Sequence, residues 1–343
     1  MKKVCLLSCL LFMIFISCKD NSTNNPHDSI KVHSLNEQDL FILTDGPYAT
    51  RFYDMKVYDK DIFLVDFNNV LYHSSDKGKS WSTSNLKFEG DNSRTIYFSD
   101  QKVICLSSYD NTHFYLSLSS DNGISWTTNK YFKINNNYYR YLIGSSLSGV
   151  LFVCSYNFSN GLYILIKSTD QGATWKFSDS LGYERSSNLY NINDTILLIK
   201  QTNDYKFIIM QSIDDGDTWS EISSIINTGS YYNTSLFIAD SSNYYICTNF
   251  NIYKSMDYGI NWYQLKHGLY NESINSLLLS PKKYLYLATY SGIYRSKDRG
   301  ENWKFIIENS SINKIGIDKY GIIYLLTNSG RVYRTINSID EIE

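Results

Sequence analysis

The sequence predicts an all-β fold, a seven-bladed β-propeller of four-stranded antiparallel blades, and three observations predict it. An eight-residue frame, Ser-x-Asp-x-Gly-x-x-Trp, occurs six times, and its last residue accounts for all six Trp of the chain. Successive Trp, at 81, 126, 175, 219, 262 and 303, lie 41 to 49 residues apart, the period of a unit built from four short strands. Only 3 Pro stand against 31 Tyr and 17 Phe, a balance that favours pleated, half-buried strands. At 343 residues the chain is too long for one ordinary sandwich and suits one large repeat-built domain. With 32 basic and 34 acidic side chains, it has no net field to draw nucleic acid or an anionic membrane.

Residues 1–17 come first and read as an export signal. Met1-Lys2-Lys3 is a basic start, and Val4 to Ile16 is an apolar run shorter than the roughly 20 residues of a comfortable membrane span. Phe15-Ile16-Ser17-Cys18 resembles a bacterial lipobox, with Phe15 where Leu is usual. The resemblance implies cleavage before Cys18, acylation of that Cys, and an exported protein anchored at the cell envelope, at the outer membrane. Residues 18–39, rich in Asn and Ser with Pro26 and His27, read as a polar tether. Residues 40–343 form the propeller. Of the remaining cysteines, Cys105, Cys154 and Cys247 each sit inside an apolar run and read as small buried hydrophobes.

The frame has a physical logic. Gly two residues after Asp supplies the positive φ of a tight turn. The carboxylate accepts backbone N–H groups of that turn, and the Ser hydroxyl is a second local partner. Trp on the outgoing strand covers the turn. Six copies at fixed phase make Asp76, Asp121, Asp170, Asp214, Asp257 and Asp298 structural. The frame resembles the Asp-box, or bacterial neuraminidase repeat, of sialidases, sortilin-type receptors, xyloglucanase-type glycosidases and photosystem II assembly-factor propellers. The resemblance spans nearly all of 40–343 and implies fold far more than function.

Within each repeat four strands follow in order. In the sixth they are 274–279, 284–289, 292–296 and 303–306. A seventh repeat gives 312–317, 322–327 and 332–335, and then the frame fails, with Asn337, Ile339 and Ile342 at the Asp, Gly and Trp positions. A missing fourth strand leaves an open edge. Leu40-Phe41-Ile42-Leu43 belongs to no other blade, so it is expected to supply that strand and close the ring.

With the frame in the turn from strand three to strand four, ligand contacts fall to the opposite, top face. There Arg51, Arg94, Arg140 and Arg185 stand at or just before strand one of repeats one to four. Their guanidinium forks suit carboxylate, sulfate or phosphate. Tyr139, Tyr183 and Tyr232, with Tyr138, Tyr231 and Tyr270, offer aromatic faces to sugar rings or apolar side chains. The alternative is that these Arg pair with acids between blades and the Tyr are ordinary strand residues.

Catalysis has less support. Sialidases resemble this chain in the boxes and in using several Arg, but here the first reads Thr50-Arg51-Phe52-Tyr53 without the family's Arg-Ile-Pro. No Glu-x-Arg follows, where Val65-Asp66-Phe67-Asn68 stands. A glycosidase needs two carboxyls about 5 to 10 Å apart, and spacing selects no pair from Asp66, Asp110, Glu184 and Asp204. No metal-ligand spacing and no cofactor motif is present. The expectation is a non-enzymatic, monomeric lipoprotein whose top face binds a protein or acidic glycan, touching membrane only through its lipid. An exported sialidase-like or glucanase-like glycoside hydrolase is the alternative.

Overall fold

A computed structural model describes residues 31–32, 40–47, 51–68, 70–83, 92–99, 102–108, 114–121, 124–129, 138–157, 162–182, 185–192, 194–202, 206–226, 236–240, 243–248, 250–266, 272–308 and 312–341. Among these residues the strands pair into seven antiparallel sheets, one for each repeat, with an N-terminal strand added to each of the last two. Sheet 1 comprises Phe52–Tyr58, Asp61–Asp66, Leu71–Ser74 and Ser82–Thr83, and sheet 2 Asn92–Ser99, Lys102–Ser108, Phe114–Ser119 and Thr127–Asn129. Sheet 3 comprises Tyr138–Ser145, Leu151–Asn157, Leu162–Ser168 and Lys176–Gly182, and sheet 4 Arg185–Ile192, Thr195–Gln201, Lys206–Ser212 and Ser220–Ile226. Sheet 5 has Leu236–Ala239, Tyr244–Cys247, Ile252–Ser255 and Tyr263–Gln264, and sheet 6 has Ile274–Leu279, Leu285–Thr289, Gly292–Ser296 and Lys304–Glu308. Sheet 7 takes Ile312–Ile317, Ile323–Thr327 and Val332–Thr335 from the last repeat.

Second strands such as Asp61–Asp66 and Ile323–Thr327 are buried along their whole length. That burial explains their near-continuous apolar sequence, since both faces of the strand meet another sheet. An apolar cluster fills the gap between each sheet and the next. Phe152, Leu165, Leu189 and Leu198 join sheets 3 and 4, and Tyr245, Cys247, Leu277 and Leu287 join sheets 5 and 6. The last gap lies between sheets 7 and 1, where Tyr324, Leu326 and Val332 pack on Phe52, Met55 and Leu64.

The N-terminal segment supplies the fourth strand of sheet 7. Phe41–Leu43 pairs with Val332–Thr335, with Phe41 opposite Thr335 and Leu43 opposite Tyr333. Phe41 is buried in the cluster between sheets 6 and 7. Just beyond it, Thr44 N donates to the Val332 carbonyl at 2.9 Å and Asp45 N to the Gly78 carbonyl at 3.2 Å, which ties this strand to sheet 1. The failed seventh frame becomes a 3-10 turn, Ile339–Glu341. Ile339 is fully buried there, and its N–H donates to the Gly321 carbonyl at 2.8 Å.

Two expectations need correction. Lys31–Val32, inside the span read as tether, pairs with Lys304–Glu308 as a fifth strand of sheet 6; the unpaired N–H and C=O groups of an edge strand are a template for such addition. Each Trp stands just before strand four and not on it, since the indole folds back onto the turn.

Strand direction defines two faces. Frame turns and the turns from strand one to strand two share one, the frame face. The hairpins from strand two to strand three and the starts of strand one share the other, the top face.

Candidate functional site

The frame turns are built alike and leave little for chemistry. In the fourth, Ser212 Oγ donates to Asp214 Oδ1 at 2.8 Å and accepts from Gly216 N at 2.8 Å. Asp214 also accepts Thr218 N on Oδ1 at 2.9 Å and Thr218 Oγ1 on Oδ2 at 2.6 Å. The same contacts recur around Asp76, Asp170, Asp257 and Asp298. Donation to the charged form lowers a carboxyl pKa. For Asp170, the Thr174 hydroxyl, the Thr174 N–H and the Ser168 hydroxyl bring it to about 2. The residue before Trp therefore matters, and it is Ser80, Ser125, Thr174, Thr218, Asn261 or Asn302 in the six copies. Sequence reasoning passed over that position, although a short polar side chain stands there every time.

The turns also latch neighbouring sheets together. Ser178 Oγ, on strand four of sheet 3, donates to the Gly216 carbonyl of sheet 4 at 2.5 Å and accepts Trp219 Nε1 at 3.1 Å. Ser223 repeats this with Gly259 and Trp262. Lys167, 2% exposed, reaches Asp217 in the next turn at 2.7 Å, and Lys254 reaches Glu301 at 3.2 Å. Each buried ammonium needs its carboxylate, since removal of one partner leaves an uncompensated charge.

On the top face the four candidate Arg fall into two registers. Arg94 and Arg140 lie opposite Ser107 and Ser155, which stand four residues beyond the partner of the frame Ser in their second strands. Arg185 lies opposite Gln201, one step further out. Arg51 matches it, for Phe67 N donates to the Arg51 carbonyl at 3.4 Å. Arg51 is exposed. Tyr139 is in strand Tyr138–Ser145; Tyr183 and Tyr232, like Cys18, lie outside the described residues, as does the glycine of the turn at Asp121.

Three aromatic side chains that sequence reasoning did not select mark this face. Phe67, Phe250 and Tyr290 occupy the hairpin between strands two and three in sheets 1, 5 and 6, with exposures of 56%, 40% and 67%. The hairpins of sheets 1 and 6 are pinned to strand-one starts, because Tyr290 N donates to the Ser273 carbonyl as Phe67 N does to that of Arg51. Beside Tyr290, Ser291 Oγ holds Glu272 Oε1 at 2.6 Å. Phe67 and Tyr290 stand five residues beyond the partner of the frame Ser and Phe250 six; an aromatic in this loop was legible in the sequence, its exposure was not.

One catalytic candidate is structurally committed. Asp66 is 2% exposed and accepts Asn68 N at 2.9 Å, Val70 N at 2.8 Å and the Tyr72 hydroxyl at 3.1 Å. Asp110, Glu184 and Asp204 lie outside the described residues. Among the described residues no three His, Cys, Asp or Glu side chains come together as metal ligands.

Comparison with known proteins places this architecture. A family profile described as the DUF6242 beta propeller domain matches residues 181–331, somewhat under half of the chain. No curated protein matches it. Among solved structures, YCF48 bound to D1 peptide is similar at 16% identity and a TM-score of 0.62 over 90% of this chain and 100% of that one. Virginiamycin B lyase from Staphylococcus aureus is similar at 13% identity and a TM-score of 0.63, over 90% and 100%. PorZ, a surface component of the type-IX secretion system of Porphyromonas gingivalis, gives 11% and 0.59 over 86% of this chain and 47% of that one. At such identities the likeness shows the fold alone, an all-β propeller of antiparallel four-stranded sheets.

Proposed function

We propose that this chain is a lipid-anchored, non-enzymatic binding propeller, closed as a ring of seven blades, whose top face holds a segment of a protein partner. The observation that carries the binding face is the set of exposed aromatics, Phe67, Phe250 and Tyr290, in the strand two to strand three hairpins of three sheets. Aromatic side chains held on short turns give large contact area at small entropic cost. Arg51 adds a fork for a carboxylate on the same face, with Arg94, Arg140 and Arg185 as its proposed companions and Tyr139, Tyr183 and Tyr232 as further contacts. A similar propeller is described with a bound peptide, which favours protein over acidic glycan. Pairing of Phe41–Leu43 with Val332–Thr335, and the apolar cluster between sheets 7 and 1, support closure of the ring. The motif ending at Cys18 supports the envelope anchor; Cys18→Ala should release the protein from membranes.

The test is binding to arrays of peptides and acidic glycans. Peptide ligands should bind, and Phe67→Ala with Tyr290→Ala should weaken them about tenfold or more, while Met256→Ala with Ile260→Ala on the frame face leaves them unchanged. Binding only to glycans, or binding insensitive to the top-face variant, would contradict the reading. Turnover of a fluorogenic sialoside or glucan would restore the hydrolase alternative.

A further inference from the structure

We infer that the segment held on the top face presents an arginine side chain to sheet 6, its guanidinium lying on the Tyr290 ring and forked to the Glu272 carboxylate. The inference rests on the binding-face reading above and names one group that the partner must carry.

Glu272 stands just before the first strand of sheet 6 and is half-buried. Its Oε1 accepts the Ser291 hydroxyl at 2.6 Å. Among the described residues no Lys, Arg or His pairs with it. Carboxylates withdrawn from water elsewhere are satisfied in one of two ways. Asp54, Asp61 and Asp179 face Lys314, His73 and Lys200. Asp66 and Asp318 each accept two backbone N–H groups and a Tyr hydroxyl. Glu272 has neither arrangement, and its charge is felt nearby: burial first, and then that charge, raise the Tyr294 hydroxyl above its ordinary value. A carboxylate drawn partly out of water with a single neutral donor gains most from a charged one.

Tyr290 supplies the other half of the site. Its N–H donates to the carbonyl of Ser273, next in sequence to Glu272, at 3.2 Å, and its ring is 67% exposed. The hairpin beneath is fixed. Thr289 is fully buried; its hydroxyl accepts Ser291 N at 3.2 Å and Gly292 N at 3.3 Å and donates to the Gly292 carbonyl at 3.2 Å. Aromatic and carboxylate are thus pinned in one hairpin before a ligand arrives, which lowers the ordering cost of binding.

Ammonium and guanidinium both answer a carboxylate, but the planar guanidinium also forks it and stacks on an aromatic face. An acidic glycan offers neither group. The two contacts together amount to about three- to thirtyfold in affinity at an exposed site.

The test is an array of random heptapeptides probed with the full chain. Arg should be enriched above Lys among the bound peptides, and replacing that Arg by citrulline, its neutral isostere, should weaken them about threefold or more. Glu272→Gln, which keeps an oxygen for Ser291, should remove the enrichment, and Tyr290→Leu should bring Arg down to the level of Lys. Peptides bound without enrichment in Arg, with Lys equal to Arg, or with an Arg preference that survives Glu272→Gln would overturn this inference alone. If the unaltered chain binds no peptide, the binding-face reading falls and the inference with it.

Discussion

Gly216 and Gly259 hold the same place in the frame turns of sheets 4 and 5, at φ of 74° and 88°, yet replacing each by Ala should have different costs. A Cβ at Gly259 would meet nothing closer than 3.5 Å, an ordinary contact. Gly259→Ala therefore carries only left-handed strain, about 1–2 kcal/mol, offset by about 0.4–1 kcal/mol of reduced freedom in the unfolded chain. A Cβ at Gly216 would stand 2.8 Å from Phe152 Cζ and closer still to Cε1. That ring is fully buried between sheets 3 and 4 and has no room to retreat, so overpacking adds about 1–3 kcal/mol. Urea unfolding of the two variants, at unchanged slope, should place Gly216→Ala about 2 kcal/mol below Gly259→Ala. Equal costs would refute the claim that a frame glycine is the close-approach point between neighbouring sheets; no cost at either would refute the left-handed turn itself.

Other outcomes follow from the same contacts. Phe41→Ala should destabilise the whole domain by about 3 kcal/mol or more, read as a shift of the single unfolding transition; a local loss confined to the N-terminal segment in hydrogen exchange would contradict its role in the core. Asp121, Asp170 and Asp214 are held at about 2, below an ordinary carboxyl's 3.8, by the hydroxyl and N–H of the residue four places on and by the frame Ser. Because these pKa values are depressed on folding, their stabilisation is complete above the ordinary range and is lost as pH falls through about 2. Acid unfolding should steepen between about pH 4 and 2, and Asp170→Asn should flatten that limb. Cys154 and Cys247 are fully buried, and burial pushes the Cys247 thiol up; both should resist alkylation until the protein unfolds, as mass spectrometry of the labelled peptides would show.

Much of the fold was legible because its cause is local and repeated. The Ser-Asp-Gly turn is set by a few adjacent side chains, so its six copies identify the strand three to strand four turns directly. The buried second strands were equally visible as apolar runs. The pairing of Lys31–Val32 was not, since two residues on an edge carry no pattern of their own. The candidate site was less legible for a similar reason. Arg51, Arg94, Arg140 and Arg185 share a place in the repeat, but pairing sorts them into two registers, which a count of residues cannot resolve because each of these first strands carries a bulge and the bulges fall at different places. Exposure of Phe67, Phe250 and Tyr290 depends on which hairpin tips project, and composition cannot distinguish them from the many buried Tyr and Phe of this chain. Latches such as Lys167 to Asp217 join residues far apart in sequence and emerge only once the sheets are side by side.

The claim that the top face is the working face is tested most directly by photo-crosslinking in the native envelope. A photoreactive amino acid at position 290 or 67 should give a discrete adduct with a protein partner, and the same group at position 256 or 213 on the frame face should give none. Adducts from 256 or 213 with none from 290 or 67 would contradict the account.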